Sequence, residues 1–214
     1  MKITILNSSE THPINPWLKR WMEEKSSEHE LTLVRQKNKL IGGDLLFLIS
    51  CSEIINAVDR EKFKHVLVIH ASDLPKGRGW SPHIWEIVNG ACEMTVSLLE
   101  ADDAVDTGDI WHKLKLKIPS TALYDEINQL LFDAEIALMD YAVKNFGKVI
   151  PKPQGESVEP SYWSKRTPKD SELDIKGSIE EQFNLIRVCD PDRFPAFFYK
   201  DGKKFILKIE ADNE

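Results

Sequence analysis

The run Val66-Leu67-Val68-Ile69 constrains this chain more than any other stretch. Four consecutive apolar residues, three of them β-branched, read as a strand buried on both faces. Such a strand belongs in a sheet covered by helices, an α/β arrangement. The run stops at His70. Turn formers and cations follow, from Ala71-Ser72-Asp73-Leu74-Pro75 through Lys76-Gly77-Arg78-Gly79-Trp80, and Ser81-Pro82 then supplies a helix start. Open α/β sheets place ligands at the carboxyl ends of their strands. An imidazole at that position, facing a basic Gly loop, marks a candidate site.

The rest of the pattern agrees with an α/β chain. Residues 2–6, 30–34, 44–50 and 65–69 read as strands. Asn15-Pro16 reads as an N-cap and first helical residue, ahead of an apolar face of Trp17, Leu18, Trp21 and Met22. Ser81-Pro82 reads the same way and opens a short helix that ends near Gly90. Residues 94–99 and 109–118 read as strands joined by the loop at Asp106. The spacing of Leu123, Ile127, Leu130, Leu131, Ala134, Leu138, Tyr141 and Ala142 predicts a long helix over about 122–146, with Gly147 just past its end. Pro151, Pro153, Gly155 and Pro160 mark a linker. A short helix over 180–188 follows, then a hairpin turning at Lys200-Asp201-Gly202-Lys203. The expected fold is an open, Rossmann-like, mostly parallel sheet over residues 1–150. A linker, short helix and small C-terminal β-hairpin appendage occupy 151–214.

Composition narrows the function classes. With 214 residues, 42% hydrophobic and 29% charged, the chain has material for a sizeable core. A net charge of −7 argues against a nucleic-acid partner, which calls for a basic stripe. Cys51, Cys92 and Cys189 are an odd set without metal-type spacing, so free thiols in a reducing compartment and no metal are expected. The N-terminal apolar run is too short for a signal peptide and no stretch is long enough to span a membrane. A cytoplasmic location without membrane attachment is the expectation.

A second loop, Val105-Asp106-Thr107-Gly108-Asp109-Ile110, again puts a carboxylate beside a Gly turn. Asp106 can fix the tautomer of His70 and stabilise its protonated form. Alone, a strand-end His more often caps backbone groups. The adjoining loop, with cations between glycines ahead of a helix, favours a functional reading. Trp80 offers a stacking face or a core contact. Neither a GxSxG elbow nor a GxGxxG fingerprint is present.

Together, His70 to Pro82 and Val105 to Ile110 resemble the folate-dependent formyltransferase family. That family includes methionyl-tRNA formyltransferase, glycinamide ribonucleotide transformylase and the nucleotide-sugar N-formyltransferases. Ser161-Tyr162-Trp163-Ser164-Lys165-Arg166-Thr167-Pro168 resembles the segment after the family's long helix. The resemblance implies 10-formyltetrahydrofolate as donor and an amine as acceptor. His70 would manage protons and stabilise the tetrahedral oxyanion, with Asp106 orienting it. The pterin would lie against Ser52, Glu53 and Ile55 on one side and Asp102 and Asp103 on the other. One position departs: the family's Asn two residues before the His is Val68 here, with Ser72 and Asn56 as candidate replacements. Losing such a donor typically costs ~10²–10³ in rate.

The acceptor reading follows from the same resemblance. The Gly77-to-Pro82 variant is similar to the branch acting on dideoxy amino sugars such as GDP-perosamine, which serve surface polysaccharide synthesis. A nucleotide-sugar substrate implies Lys76, Arg78 and Arg166 as diphosphate partners, with Arg187 and Arg193 as weaker ones, and Trp80 and Trp163 beside them. Another small amine as acceptor, or a non-catalytic folate- or nucleotide-binding module, are the competing readings. The apolar hairpin (Phe194, Phe197, Phe198, Phe205, Ile206) predicts either a homodimer contact or packing on its own sheet.

Overall fold

The elements follow in chain order as β1 (Lys2–Leu6), α1 (Asn15–Lys25), β2 (Glu30–Val34), β3 (Gly43–Leu48), α2 (Ala57–Arg60), β4 (Phe63–His70), β5 (Arg78–Gly79) and α3 (Pro82–Val88). Then come β6 (Glu93–Glu100), β7 (Ile110–Lys117), α4 (Tyr124–Lys144), β8 (Tyr162–Trp163), α5 (Ile179–Arg187), β9 (Ala196–Lys200) and β10 (Lys203–Leu207). These belong to a computed structural model that describes residues 1–155 and 157–212.

Six strands form one sheet in the order β2-β1-β3-β4-β6-β7. β2, β1, β3 and β4 run parallel, and β6 pairs antiparallel with both β4 and β7. The expected open, mostly parallel sheet is therefore present, as is the C-terminal hairpin of β9 and β10. The strand order reverses between β1 and β3. A crevice opens at such a switch point, outside the carboxyl ends of the strands. Asn7–Pro13, Ile49–Ile55 and the loop after His70 all emerge there.

The two sheet faces differ. One carries the main core, in which Ile3, Ile5, Phe47 and Leu67 meet Leu18 and Trp21 of α1 and Leu131, Phe132 and Leu138 of α4. Trp21 is fully buried, sets its edge against Phe47 and donates its indole N–H to Asp140. The other face carries a smaller cluster of Leu46, Leu48, Ile55 and Val66, with Val68 and Ala101 packed against it. A third cluster, around Leu173, Ile186, Cys189 and Ala196, supports the C-terminal segment.

Local readings differ at two helix starts. Pro82 does begin α3, but Ser81 stands in left-handed backbone at φ +56° and its side chain caps nothing. Asn15 is already the first residue of α1. Its amide donates to the carbonyls of Ser9, Glu10 and His12, which closes the loop after β1. In the hairpin, Asp201 and Gly202 both take positive φ, the backbone of a tight two-residue turn. The three cysteines are free thiols.

Candidate active site

His70 ends β4 and is 8% exposed. Its Nε2 lies 2.8 Å from the carbonyl oxygen of Gly77. A carbonyl only accepts, so Nε2 is the protonated nitrogen of the neutral ring. Nδ1 is left with its lone pair facing Asp106 Oδ1 at 3.6 Å. That gap is too long for a direct hydrogen bond. The glycine loop, more than Asp106, sets the ring's orientation.

The same loop holds Asp106. The Gly79 N–H donates to Asp106 Oδ2 at 3.0 Å. Gly79 itself is pinned under the segment that follows α4, because β5 pairs with β8. Any Cβ at Gly79 would meet the Trp163 carbonyl oxygen at 2.4 Å, and its φ is +100°. Gln154, in the linker, completes the frame. Its amide donates to the carbonyls of Asp106 and Gly108 at 2.8 and 3.0 Å, and its oxygen accepts from Arg78 at 2.7 Å. Nothing in the linker's composition singles out Gln154; only the fold brings it to Asp106.

These groups border a cleft of about 530 Å³ at the carboxyl end of the sheet. Ser52, Glu53, Ile55, His70, Trp80, Asp102, Asp103, Asp106, Arg166 and Arg193 all line it. Glu53 accepts from the Lys37 N–H, Asp103 pairs with Arg60, and Lys165 lies over the Trp80 ring at 4.5 Å. Ser50, Ser81 and Asp106, three cleft residues, hold left-handed backbone at φ +47°, +56° and +58°. Each costs roughly 1–2 kcal/mol relative to ordinary backbone, and such strain gathers at functional sites.

Other expected residues stand elsewhere. Lys76 and Arg78 are off the cleft wall. Arg78 is committed to Gln154 and Tyr162. Trp163 stacks on Trp85 and does not border the cleft. Arg187 is 3% exposed and donates to the Pro119 and Ala122 carbonyls, so it ties α5 to the start of α4. Neither expected replacement for the amide missing at Val68 lines the cleft. Asn56 caps α2 through Asp59 N–H, and Ser72 Oγ is buried under the glycine loop.

Several lining groups escaped the sequence reading. His12 and His83 are pulled down to about 4, mainly by burial, and the Arg193 charge reinforces this at His12. Glu135 is 8% exposed and burial pushes its carboxyl up to about 8. It sits on the buried side of α4 among Leu131, Phe132 and Leu138. A carboxylate at helical spacing inside an apolar stripe was the signal that could have revealed it. Among the described residues, no helix is long and apolar enough to cross a membrane, and no group of three His, Cys, Asp or Glu is placed to hold a metal.

A strand-end His and a carboxylate, bound to one glycine loop at the carboxyl end of an α/β sheet, border a cleft on a Rossmann-like scaffold. The particular family is shown by comparison. Residues 3–143 match the Formyl transferase family model, and the chain belongs to that family. It is 29% identical over 175 residues to methionyl-tRNA formyltransferase of Rickettsia bellii, covering 80% of this chain and 56% of that protein. The chain spans about half the length of the curated relatives it matches. HypX from Aquifex aeolicus in complex with tetrahydrofolic acid superposes with a TM-score of 0.77 at 22% identity, over 97% of this chain and 37% of that one. A sugar N-formyltransferase from Shewanella gives 0.73 at 15% identity, over 99% and 98%.

Proposed function

We propose that this chain transfers a formyl group from 10-formyltetrahydrofolate to the amine of a nucleotide-linked dideoxy amino sugar of the GDP-perosamine kind. The observation that carries the reading is the His70–Asp106 pair, buried on the wall of the cleft with Nδ1 open toward the carboxylate. Family membership and the tetrahydrofolic acid bound to HypX support the donor. The cleft suits it. Leu48, Ile55 and Val68 give an apolar wall for a planar ring, and Ser52, Glu53, Asp102 and Asp103 supply polar edges.

The donor supplies a formyl carbonyl attached to nitrogen. The acceptor amine adds to the formyl carbon, giving a tetrahedral oxyanion, and collapse of that species breaks the bond to the donor nitrogen. His70 Nδ1 takes the proton the amine must lose, and Asp106 stabilises the imidazolium. The same proton then goes to the departing nitrogen, so none is gained or lost overall. The Gly77 and Gly79 contacts hold base and carboxylate in place throughout.

The sugar N-formyltransferase from Shewanella supports the acceptor class. Lys165, Arg166 and Arg193 line the cleft and are the candidates for a diphosphate, while Trp80, 41% exposed, offers a stacking face. Lys76 and Arg78, off the cleft wall, drop out of that role. The identity to a methionyl-tRNA formyltransferase favours a second reading, a different amine as acceptor. One assay separates them. The protein is incubated with 10-formyltetrahydrofolate and GDP- or dTDP-linked amino sugars, with methionyl-tRNA in parallel, and products are weighed for the gain of one CO. Gain on a sugar and none on tRNA is expected. Gain on tRNA alone overturns the sugar reading in favour of the second, and gain on neither overturns the sugar reading.

A further inference from the structure

Two acceptors compete for the single proton of the neutral His70 ring. The Gly77 carbonyl oxygen lies 2.8 Å from Nε2, and Asp106 Oδ1 lies 3.6 Å from Nδ1. The hydrogen bond such a ring makes decides which nitrogen carries its N–H. With the proton on Nε2, Nδ1 keeps the lone pair that accepts a proton from an amine. With the proton drawn to Nδ1 by the carboxylate, that lone pair is lost and the ring is no base toward the cleft. The active tautomer depends on where the Gly77 carbonyl is held.

Two side chains outside the cleft wall hold the approach to Gly77. Ser97 of β6 stands opposite His70 of β4 in the sheet register, and Lys113 of β7 stands opposite Ser97. Residues directly opposite one another share a face, so the three form a row across three strands. Their neighbours Ile69, Leu98 and Leu114 pack in the main core, and the row faces away from it. Ser97 is fully buried, and its Oγ donates to the Ser72 carbonyl at 2.7 Å. Lys113 Nζ donates to the Leu74 carbonyl at 2.6 Å and to Asp73 Oδ1 at 2.7 Å. Residues 72, 73 and 74 are thereby each tied to the row, three positions short of Gly77. Beyond them the Lys76 N–H closes on the Asp73 carbonyl at 3.2 Å, and the Gly77 N–H donates to Ser161 Oγ at 2.9 Å.

We infer that Ser97 and Lys113 are positioning residues for formyl transfer, fixing the 72–77 loop so that the Gly77 carbonyl keeps His70 in its Nε2–H form. Neither touches the reacting atoms. This rests on His70 acting as the base, and it holds for whichever amine is formylated.

The test uses Ser97→Ala and Lys113→Met, with Ser97→Thr as the variant that keeps the hydroxyl. Nitrogen NMR of the imidazoles, at alkaline pH where the ring is neutral, reads the His70 tautomer; its signals are identified by their loss in His70→Gln. Single-turnover transfer from 10-formyltetrahydrofolate to GDP- or dTDP-linked amino sugars and to methionyl-tRNA is measured beside it, with donor affinity as a check on folding. Ser97→Ala and Lys113→Met should each show an Nδ1–H form absent from wild type. Transfer should slow by about ten- to a hundredfold with donor affinity kept, and Ser97→Thr should behave as wild type. A ring that stays wholly Nε2–H in both variants overturns the inference whether or not transfer slows, as does a wild type that is already a mixture. A shifted tautomer with an unchanged transfer rate overturns it too. If the tautomer shifts and wild type formylates no acceptor, the control of the tautomer stands and the proposed reaction falls. Should Ser97→Ala fail to fold, Lys113→Met decides alone, since Lys113 is partly exposed on the edge strand of the sheet.

Discussion

Replacing Glu135 with Gln should change how stability depends on pH. Burial raises this carboxyl from 4.5 to about 8 in the folded chain. Between those values the unfolded chain has released the proton and the folded chain still holds it. Folded-state proton excess means that stability falls as pH rises through this window. At ~1.4 kcal/mol per pKa unit, the full penalty is on the order of 4 to 5 kcal/mol. About 3 kcal/mol of it develops between about pH 5.5 and about pH 8. Gln has nearly the same shape and no charge, so the variant escapes that decline. His12 and His83 act in the opposite sense. Lowered to about 4, they make stability rise between about pH 4 and pH 6.5. Both proteins share that contribution, so the difference between their curves isolates residue 135. Urea unfolding at several pH values measures it. Parallel curves for wild type and Glu135→Gln would refute the claim that this carboxyl is held protonated by burial.

Three further outcomes follow from the frame around His70. Asp106→Asn keeps the reach to the Gly79 N–H but removes the charge beside Nδ1; single-turnover formyl transfer should slow by ~10²–10⁴ with donor affinity retained. An unchanged rate would remove Asp106 from the chemistry. Gly79→Ala forces a Cβ to within 2.4 Å of the Trp163 carbonyl at a φ of +100°, so Tm should drop, by the equivalent of about 1–3 kcal/mol; a Tm equal to wild type contradicts the packing described. Gln154→Ala removes the amide that holds the Asp106 and Gly108 carbonyls, and turnover should fall. Gln154→Glu should not restore it, because a carboxylate cannot donate to those two oxygens; full rescue by Glu would show that the hydrogen bonds are unimportant.

The sequence by itself determined the elements and the ends at which chemistry sits. Runs such as Val66–Ile69 are apolar enough to be buried on both faces whatever their neighbours, and the α4 stripe follows a helical period that no strand can satisfy. The loop at His70 was equally legible, because Gly, Pro and cations after a buried strand carry local backbone meaning. Tertiary structure decided which side chains face the cleft. Lys76, Arg78 and Arg166 looked alike as cations near one site, yet only Arg166 lines it. Arg78 is claimed by Gln154 and Tyr162, residues at least 76 positions away along the chain. The frame of His70 also depends on contacts between residues far apart along the chain. Gly79 meets Trp163, and Asp106 meets both Gly79 and Gln154. Pairings of that kind depend on how the chain returns across its own sheet, and spacing along the sequence does not encode them. Glu135 shows the same division: its place on the buried stripe was written in the helical period, but its lack of a partner, and so its protonation, exists only once α4 is packed.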